Sequence, residues 1–344
     1  MRVTLKNMFV RLTIPTVFVG LLALQLPSHH AHSQCPSDIN ENGITDSADL
    51  TGLLAVIWTN GETLPRADIN GDGIVDFFDL AFVLAGWGPC PPALPWATTI
   101  DQDPNPRIVT DADFRKRMIV TGLPWHVRDN ESGIEMLLIP PGSFTMGASP
   151  GDEDAASEEN PAHTVTITHA FYLGRSEVTQ STWVEEMGAN PSYFLEDLNR
   201  PVENVSWDAV QPFCAQNGLR LPTEAEWEYA CRGGDTTARY GPLDEIAWTF
   251  TNSNQTTWQV CSKHANAIGL FDTIGNVSEW CQDWGDAYSD ASEVDPTGPF
   301  SGIFKVLRGG GWIGQASSCR ASHRALSLTV NSSPAIGFRV ARNP

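Results

Sequence analysis

Two acidic loops near the N-terminus have the residue types and the spacing that suit calcium. The first begins at Asp38 and the second at Asp68, thirty residues later. Calcium takes about six to eight oxygen ligands, and a loop of this kind supplies them from positions 1, 3, 5, 9 and 12, with glycine at position 6 for the sharp turn. The predicted side-chain ligands are Asp38, Asn40, Asn42, Asp46 and Asp49 in the first loop, and Asp68, Asn70, Asp72, Asp76 and Asp79 in the second.

The repetition of the loop makes the calcium interpretation stronger than one loop would. The alternative is a pair of acidic turns without metal. The two loops differ at position 5, which is Asn42 in the first and Asp72 in the second. Because the first loop has one carboxylate fewer than the second, we predict that it is the weaker of the two calcium sites.

A glycine-rich turn near the C-terminus is followed by a single cysteine. Residues 308–324 read RGGGWIGQASSCRASHR, and a run of glycines lets the backbone take positive φ and approach other groups closely. Cys319 is a candidate disulfide half, with Cys281 as the first candidate partner. It is also a candidate reactive thiol, with a pKa lowered by Arg320 and His323. A third candidate role is one ligand of a copper site whose second thiolate comes from elsewhere in the fold.

The N-terminal residues have the layout of a secretory signal peptide. Basic residues precede the apolar run 12–26, and Ala31 and Ser33 are small residues at positions −3 and −1 of a cleavage site. The run contains Pro15 and is shorter than the roughly 20 apolar residues of a spanning helix. We predict cleavage near Ser33, no membrane span afterwards, and a secreted, cell-surface or periplasmic location. Disulfides are then expected among the seven cysteines.

Charge and length limit the partners and the number of domains. A formal net charge of −20 argues against nucleic acid and anionic membranes, because both attract basic patches. The 344 residues suffice for one large domain and a small module. We predict four segments: the signal peptide, 1–33; a calcium-loop module, 34–92; a Pro-rich linker, 93–107; and a large domain, 108–344.

The termini of the small module and the elements of the large domain follow from local patterns. Cys35 and Cys90 bracket the module, and we predict that a disulfide joins them. Residues 136–147 predict two strands around a Pro-Pro-Gly turn, and residues 163–167 alternate like a half-buried strand. Predicted helix N-caps are Thr179, Ser206 and Thr223. No convincing helix follows residue 234, so the pattern predicts an α+β domain with much irregular chain.

The duplicated loops, with aspartate at position 12, resemble a dockerin-type module, which is small and all-α. This resemblance implies a protein partner or a cell-surface component that the module binds. Positions 10 and 11 of each loop face the partner in that family. They are Ser47-Ala48 and Phe77-Phe78 here, so the two halves present different surfaces.

The large domain contains a series of motifs in fixed order, which is more specific than any one motif. They are IPPGSFTMG at 139–147, EVTQ at 177–180, PVENVSW at 201–207, RLPTEAEWEYACRGG at 220–234, GLFDTIGNVSEWCQDW at 269–284, VLRGGGW at 306–312 and GFR at 337–339. On these motifs the domain resembles the formylglycine-generating enzyme, or sulfatase-modifying factor, family. The resemblance implies a C-type-lectin-like fold with little regular secondary structure.

The same resemblance implies a specific chemistry for Cys319. Active family members oxidise a sulfatase cysteine to formylglycine with O₂ and a copper(I) ion held by two cysteines, five residues apart. The second of these cysteines falls on Cys319, whereas the first falls on Gly314, which has no side chain. Since Cu(I) is selected by soft thiolates, the loss of one should cripple the site.

The resemblance also implies a calcium site in the large domain. Its positions fall on Asp272, Gly275, Val277 and Glu279, where the glycine and the valine contribute backbone carbonyls. The alternative is a salt-bridged turn without metal.

Two functions remain after this reading. The first is an exported, calcium-stabilised binding or structural protein that lacks a complete copper site and is tethered through the dockerin-like module. The second is an oxidoreductase that matures sulfatases, with a sulfatase peptide as substrate, copper as cofactor and Cys319 as the surviving catalytic thiol. Gly314 is the residue that discriminates between them.

Overall fold

A computed structural model describes residues 39, 44–45, 47–57, 67, 74–75, 79–80, 83–84, 88–89 and 94–344. The chain divides into two compact units, Met1–Pro89 and Cys90–Pro344. Among the described residues, no helix has the length and apolar character needed to cross a membrane.

The first unit has a helix, α1 (Ser47–Val56), and a short antiparallel pair, β1 (Ile44–Thr45) with β2 (Gly88–Pro89). Asp49 lies in the first turn of α1, and both Asp49 and Asp79 are fully buried. These are the predicted position-12 ligands of the two loops. The small core of this unit contains Ile39, Leu53, Ala67, Val75 and Val83.

The other eight predicted loop ligands lie outside the described residues, as do Cys35 and Cys90. The calcium loops and the disulfide of this unit therefore stay predictions.

The second unit mixes strands and helices, which confirms the predicted α+β class. Its strands are β3 (Ala97–Asp101), β4 (His126–Asp129), β5 (Glu135–Ile139), β6 (Gly142–Met146), β7 (His163–Ile167), β8 (Phe171–Gly174), β9 (Ser278–Trp284), β10 (Glu293–Val294), β11 (Phe304–Arg308), β12 (Arg324–Leu328), β13 (Ile336–Gly337) and β14 (Ala341–Arg342). Its helices are α2 (Ala112–Val120), α3 (Gln180–Met187), α4 (Trp207–Gln216), α5 (Glu224–Arg232) and α6 (Leu243–Ile246).

Three sheets organise these strands. A five-stranded antiparallel sheet has the order β14-β8-β5-β4-β3, and a four-stranded sheet has the order β12-β11-β9-β13 with β13 parallel to β9. A three-stranded sheet has the order β10-β7-β6 with β10 parallel to β7. The strands predicted around the Pro-Pro-Gly turn, β5 and β6, are both present but belong to different sheets.

The predicted helix N-caps are confirmed in the structure. The hydroxyl of Thr179 accepts a hydrogen bond from Thr182 N, and that of Ser206 accepts one from Ala209 N. Thr223 and Glu226 bond reciprocally as a capping box. Local sequence specified these starts because each cap satisfies backbone N–H groups of its own first turn. The one-turn helix α6 was not predicted.

Helix α5 is the central element of the second unit, because every one of its nine residues is buried. Its three glutamates pair with arginines: Glu224 with Arg324 of β12, Glu226 with Arg220 just before the helix, and Glu228 with Arg232 of the same helix and Arg308 of β11. Buried carboxylates need such partners, since an unpaired buried charge is costly. These pairs fix β11 and β12, and the glycine turn between them, against α5.

Candidate functional site

The glycine turn after β11 is held by close backbone approaches. Gly309 and Gly310 have φ of 88° and 69°, values that favour glycine. A Cβ atom on Gly310 would lie 2.5 Å from the Ser318 carbonyl oxygen and 3.0 Å from the Cys319 sulfur. A side chain at this position would therefore displace the segment that contains the cysteine.

Gly314 and Cys319 lie side by side. A Cβ atom on Gly314 would be 3.4 Å from the Cys319 sulfur and 2.6 Å from the Ser318 hydroxyl oxygen. Gly314 N donates to the Gly311 carbonyl at 2.7 Å, and Cys319 N donates to the Ala316 carbonyl at 3.1 Å. The two positions thus face each other, and only one of them carries a thiol.

Cys319 is a buried, protonated thiol. The residue is 0 % exposed, and burial raises the pKa of its thiol to about 11. Its carbonyl accepts a hydrogen bond from Arg239 Nε at 2.9 Å. Such a group is a poor nucleophile at neutral pH, because the thiolate is the reactive form.

The neighbours expected to activate Cys319 do not outweigh its burial, so its pKa is raised and not lowered. Arg320 is committed to Glu159 and Asp152, with distances of 2.5 and 2.7 Å. Burial, followed by the nearby charge of Arg308, lowers the pKa of His323 to about 4, so the imidazole is neutral. Burial of the Cys319 thiol has a larger effect on its pKa than the charges of its neighbours have.

The expected disulfide between Cys281 and Cys319 is also absent from the second unit. Both residues pack in one apolar cluster, but both are free thiols. The five cysteines of this unit that the structure describes are all free: Cys214, Cys231, Cys261, Cys281 and Cys319. Cys281 and Cys319 therefore share an apolar cluster without the bond that we expected, since a disulfide needs specific geometry as well as proximity.

A second cluster of charged groups occupies the predicted calcium positions. Asp272 and Glu279 are buried, and a third buried carboxyl, Glu177, accepts from Val277 N at 3.0 Å. Glu279 accepts two hydrogen bonds from Arg339, each at 2.6 Å. Three carboxyl groups therefore share one arginine.

This shortage of positive charge is reflected in the raised pKa values of two of the carboxyl groups. Burial, followed by the charges of Asp272 and Glu279, raises the pKa of Glu177 well above its ordinary value. Burial raises the pKa of Asp272 to about 6. A divalent cation would relieve this electrostatic cost, and oxygen donors suit calcium.

The negative charge of the three carboxyls suits calcium. Glu279, however, would have to bind the ion while it also accepts hydrogen bonds from protein groups. Besides Arg339, Glu279 also accepts a hydrogen bond from Trp227 Nε1 at 2.6 Å. Asp272 accepts from Cys261 N through one oxygen, at 2.7 Å. In the described part of the chain, no group of three or more His, Cys, Asp or Glu side chains is arranged to hold a metal ion. An ion here would depend on the backbone carbonyls of Gly275 and Val277.

Sequence reasoning missed Glu177 and Arg339 as members of this cluster. Both lie in the motifs quoted above, in EVTQ and GFR. Their positions in these motifs were a signal that they matter. The sequence could not show that the two residues lie in one cluster. Glu177 and Val277 are 100 residues apart in the chain.

Comparison with known proteins decides the family. Residues 125–344 match the family model described as "Sulfatase-modifying factor enzyme 1-like domain". This chain belongs to that family. The match falls within the predicted large domain, and the helices and sheets described above are those of its members. The dockerin-like module lies outside the matched residues.

Relatives with different names share this domain. "Formylglycine-generating enzyme" of Streptomyces coelicolor is 30 % identical over 277 residues, which cover 60 % of this chain and 88 % of that protein. "Serine/threonine-protein kinase pkn1" of Chlamydia pneumoniae is 34 % identical over 239 residues, or 61 % of this chain. The chain spans only 38 % of that relative's length.

Two solved structures share the fold. Treponema denticola variable protein 1 is 31 % identical with a TM-score of 0.57, over 61 % of this chain and 95 % of the other. PvdO from Pseudomonas aeruginosa is 25 % identical with a TM-score of 0.56, over 64 % of this chain and 98 % of the other.

Proposed function

We propose that this family member is an exported, calcium-stabilised binding or structural protein without a complete copper site. The observation that carries the proposal is Gly314. The position faces Cys319 closely enough for a side chain there to contact the sulfur, but it offers no ligand. A single buried thiol whose pKa is raised to about 11 is a poor Cu(I) site, because Cu(I) is held by thiolates.

Calcium is proposed as the bound metal of the large domain. The support is the charge imbalance of Glu177, Asp272 and Glu279 against Arg339, together with hard oxygen donors. The ion would stabilise the fold and perform no redox step. Two further calcium ions are proposed in the N-terminal loops, whose position-12 residues Asp49 and Asp79 are buried.

The N-terminal unit is proposed as a dockerin-like tether to a protein partner or cell-surface component. The support is the duplicated loop with aspartate at position 12. The signal-peptide pattern before Ser33 supports a contact outside the cytoplasm. The module would then attach the large domain to that partner, and the large domain would have a ligand site of its own.

A second candidate function is the sulfatase-maturing oxidase. It is favoured by the 30 % identity to a relative named as a formylglycine-generating enzyme, of which this chain covers 88 %. It is also favoured by Cys319, which occupies the position of the second copper cysteine. For this function a second thiolate would have to reach Cys319 from another part of the chain.

One assay separates the two candidates. The purified chain is incubated with Cu(I), O₂ and a peptide that contains Cys-X-Pro-X-Arg, and the aldehyde is sought by mass spectrometry. We expect no more aldehyde from the natural chain than from a Cys319→Ser control. Turnover above that control would overturn the proposal and establish the oxidase.

A further inference from the structure

A cavity of about 270 Å³ lies at the end of β9, beside the start of α5 and the strands β7, β10 and β12. It is slightly smaller than most sites for drug-sized ligands, roughly 300–1,000 Å³, so it suits a small molecule or a single side chain. Ala287, Thr297 and Gly298 line the cavity and are exposed, so it is open to solvent. None of the described residues in the copper and calcium proposals lines it.

Asp283 supplies a buried carboxyl group to this cavity. The residue is 4 % exposed and lines the cavity from the end of β9. Its Oδ2 accepts a hydrogen bond from Glu224 N at 2.9 Å. Its Oδ1 lies 3.4 Å from the place of a Cβ atom on Gly298, and no group among residues 94–344 donates to it. Since Oδ1 has no hydrogen bond and yet is not fully enclosed, it is accessible from the cavity.

Asp283 lacks the counter-ion that the neighbouring Glu224 has. Glu224 accepts two hydrogen bonds from Arg324, at 2.8 and 2.6 Å. The ammonium of Lys305 donates to the Gln282 carbonyl at 2.7 Å, and no cation among residues 94–344 forms an ion pair with Asp283. A buried carboxylate without a cation is costly, so a cation that entered the cavity would relieve this cost.

The acidity of Asp283 is consistent with this missing charge. Burial, followed by the charge of Glu224, raises the pKa of Asp283 to about 7. The charge of Glu226 adds to this rise, whereas the hydrogen bond from Glu224 N and the charge of Lys305 oppose it. A bound cation would favour the ionised carboxylate and would therefore lower this pKa.

The other charged groups of the lining also favour a cation over an anion. Asp286 and Glu293 line the cavity and carry negative charge. Arg324 lines it as well, but its charge is already paired with Glu224. The lining therefore has an excess of negative charge, which attracts a cation and repels a carboxylate or a phosphate.

Apolar side chains line the cavity together with the carboxyl groups. They are Met146, Ala225, Pro296 and Pro299. Burial of alkyl groups against such side chains is favourable and needs no hydrogen bonds. The small volume limits the alkyl group to a short one.

We propose that this cavity binds a primary ammonium group carried on a short, unbranched alkyl chain. The ammonium donates to Oδ1 of Asp283, and the chain packs against Met146 and the two prolines. Such a group occurs in a free alkylamine and in the side chain of a lysine. The inference is independent of the copper and calcium proposals.

Calorimetric titration of the full chain at pH 8 tests the inference with three probes. n-Butylamine represents the free amine, N-acetyl-lysine methylamide represents a lysine side chain, and 1-butanol lacks the charge. We expect at least one amine to bind, and 1-butanol to bind at least about 10-fold more weakly, since hydrogen bonds between charged groups contribute strongly. Binding of n-butylamine alone would assign the site to free amines, and binding of the lysine derivative alone to lysine side chains.

Two variants separate contact with Asp283 from general attraction to an acidic protein. Asp283→Asn should lower the affinity for the amine about 10- to 100-fold. Its Tm at pH 8 should equal or exceed that of the natural chain, because the substitution removes an unpaired buried charge. Asp290→Asn is the matched control, since it removes the same charge from an exposed residue outside the lining, and it should leave affinity unchanged.

Proton release gives a second readout of the same contact. At pH 6 the Asp283 carboxyl is mostly protonated, so binding of the amine should release up to about one proton from the natural chain. Titration in two buffers with different ionisation enthalpies measures this number. His163 also lines the cavity, so the measurement is repeated with Asp283→Asn, in which the release should be lost.

Four results would overturn the inference. They are equal affinities for n-butylamine and 1-butanol, no binding of either amine at millimolar concentration, equal losses of affinity in Asp283→Asn and Asp290→Asn, and proton release that persists in Asp283→Asn. The first two are measured on the natural chain, so they decide the question even if a variant fails to fold.

Discussion

Gly314 and Cys319 face each other across the turn that follows β11, with 3.4 Å between the Cys319 sulfur and the place of a Cβ atom on Gly314. Side chains at both positions would therefore be in contact. Position 314 carries none, so only one of the two positions supplies a thiol. Among residues 94–344 there are four other cysteines, of which Cys214, Cys231 and Cys281 are buried and Cys261 is exposed.

Restoring that side chain should create a metal site. We predict that Gly314→Cys binds one Cu(I) per chain through two thiolates, whereas the natural chain does not. The substitution requires the Ser318 hydroxyl to move, because a Cβ atom would be 2.6 Å from it. Competition with a chromogenic Cu(I) chelator measures the affinity, and X-ray absorption identifies the sulfur ligands.

Gly314→Ser is the matched control for this substitution, since it adds a side chain of similar size without a thiol. The double variant Gly314→Cys with Cys319→Ser should bind no more tightly than the natural chain. Equal Cu(I) affinity in the natural chain and Gly314→Cys would contradict the prediction and show that a second thiolate already reaches Cys319.

Cys319 should be a free thiol that reacts only after unfolding. The residue is 0 % exposed, and burial raises its pKa to about 11, so both access and thiolate content are low. Iodoacetamide followed by peptide mapping without reduction should label Cys319 in denaturant but not in the native protein. A peptide linked to Cys281 would instead support the disulfide.

Calcium should raise the Tm of the large domain through Asp272. To isolate this site, Asp49→Ala and Asp79→Ala remove the position-12 ligands of both N-terminal loops. In that background, calcium at about 100 times its Kd should stabilise the domain by about 2.7 kcal/mol, and Asp272→Ala should abolish the increment. Scanning calorimetry with calcium or with a chelator measures this stabilisation.

Asp283→Asn is the control for the calcium experiment, because Asp283 is a buried carboxyl outside the proposed ligand set. Asp283→Asn should retain the stabilisation by calcium. Loss of the increment in both variants, or in neither, would contradict a site at Asp272.

The two N-terminal loops should bind calcium unequally. Asn42 leaves the first loop one carboxylate short of the second. In the full chain with Asp272→Ala, which removes the proposed site of the large domain, calorimetric titration should resolve a weaker and a stronger site. Asn42→Asp should strengthen the weaker site. Two equal sites in the Asp272→Ala background would contradict this prediction, and so would no binding at these loops.

Asp283 should make stability depend on pH. Burial, followed by the charge of Glu224, raises its pKa to about 7 from an ordinary value of 3.8. The folded state therefore holds a proton that the unfolded state releases, and the resulting stabilisation, present below pH 3.8, is lost as pH rises to about 7. Asp283→Asn should remove this loss and be more stable than the natural chain at pH 8, by up to about 4 kcal/mol.

Urea unfolding at pH 5 and pH 8 tests this prediction. The advantage of Asp283→Asn should be larger at pH 8, while Asp286→Asn, an exposed neighbour, should show little difference at either pH. An equal advantage at both values would mean that ionisation of Asp283 is not the cause.

Local features were predictable because their causes lie within a few residues. The caps at Thr179 and Ser206 each satisfy an N–H group three residues away, so the sequence alone specified where those helices begin. The order of the motifs identified the family, and with it the α+β fold. Position 314 could likewise be compared with the family pattern without a structure.

The chemistry of the candidate sites could not be predicted in the same way. Arg320 was expected to activate its neighbour Cys319, but it pairs with Glu159, 161 residues away. Glu177 joins Asp272 only through folding, and the Tyr229 ring of α5 meets the Phe114 ring of α2 in the same way.

The sequence by itself determined the family, the order of elements and the absence of one copper ligand at position 314. Only the tertiary structure decided which charges are paired and which thiols are buried. The physical reason is that pKa and reactivity depend on burial and on contacts between distant segments, and neither quantity exists until the chain has folded.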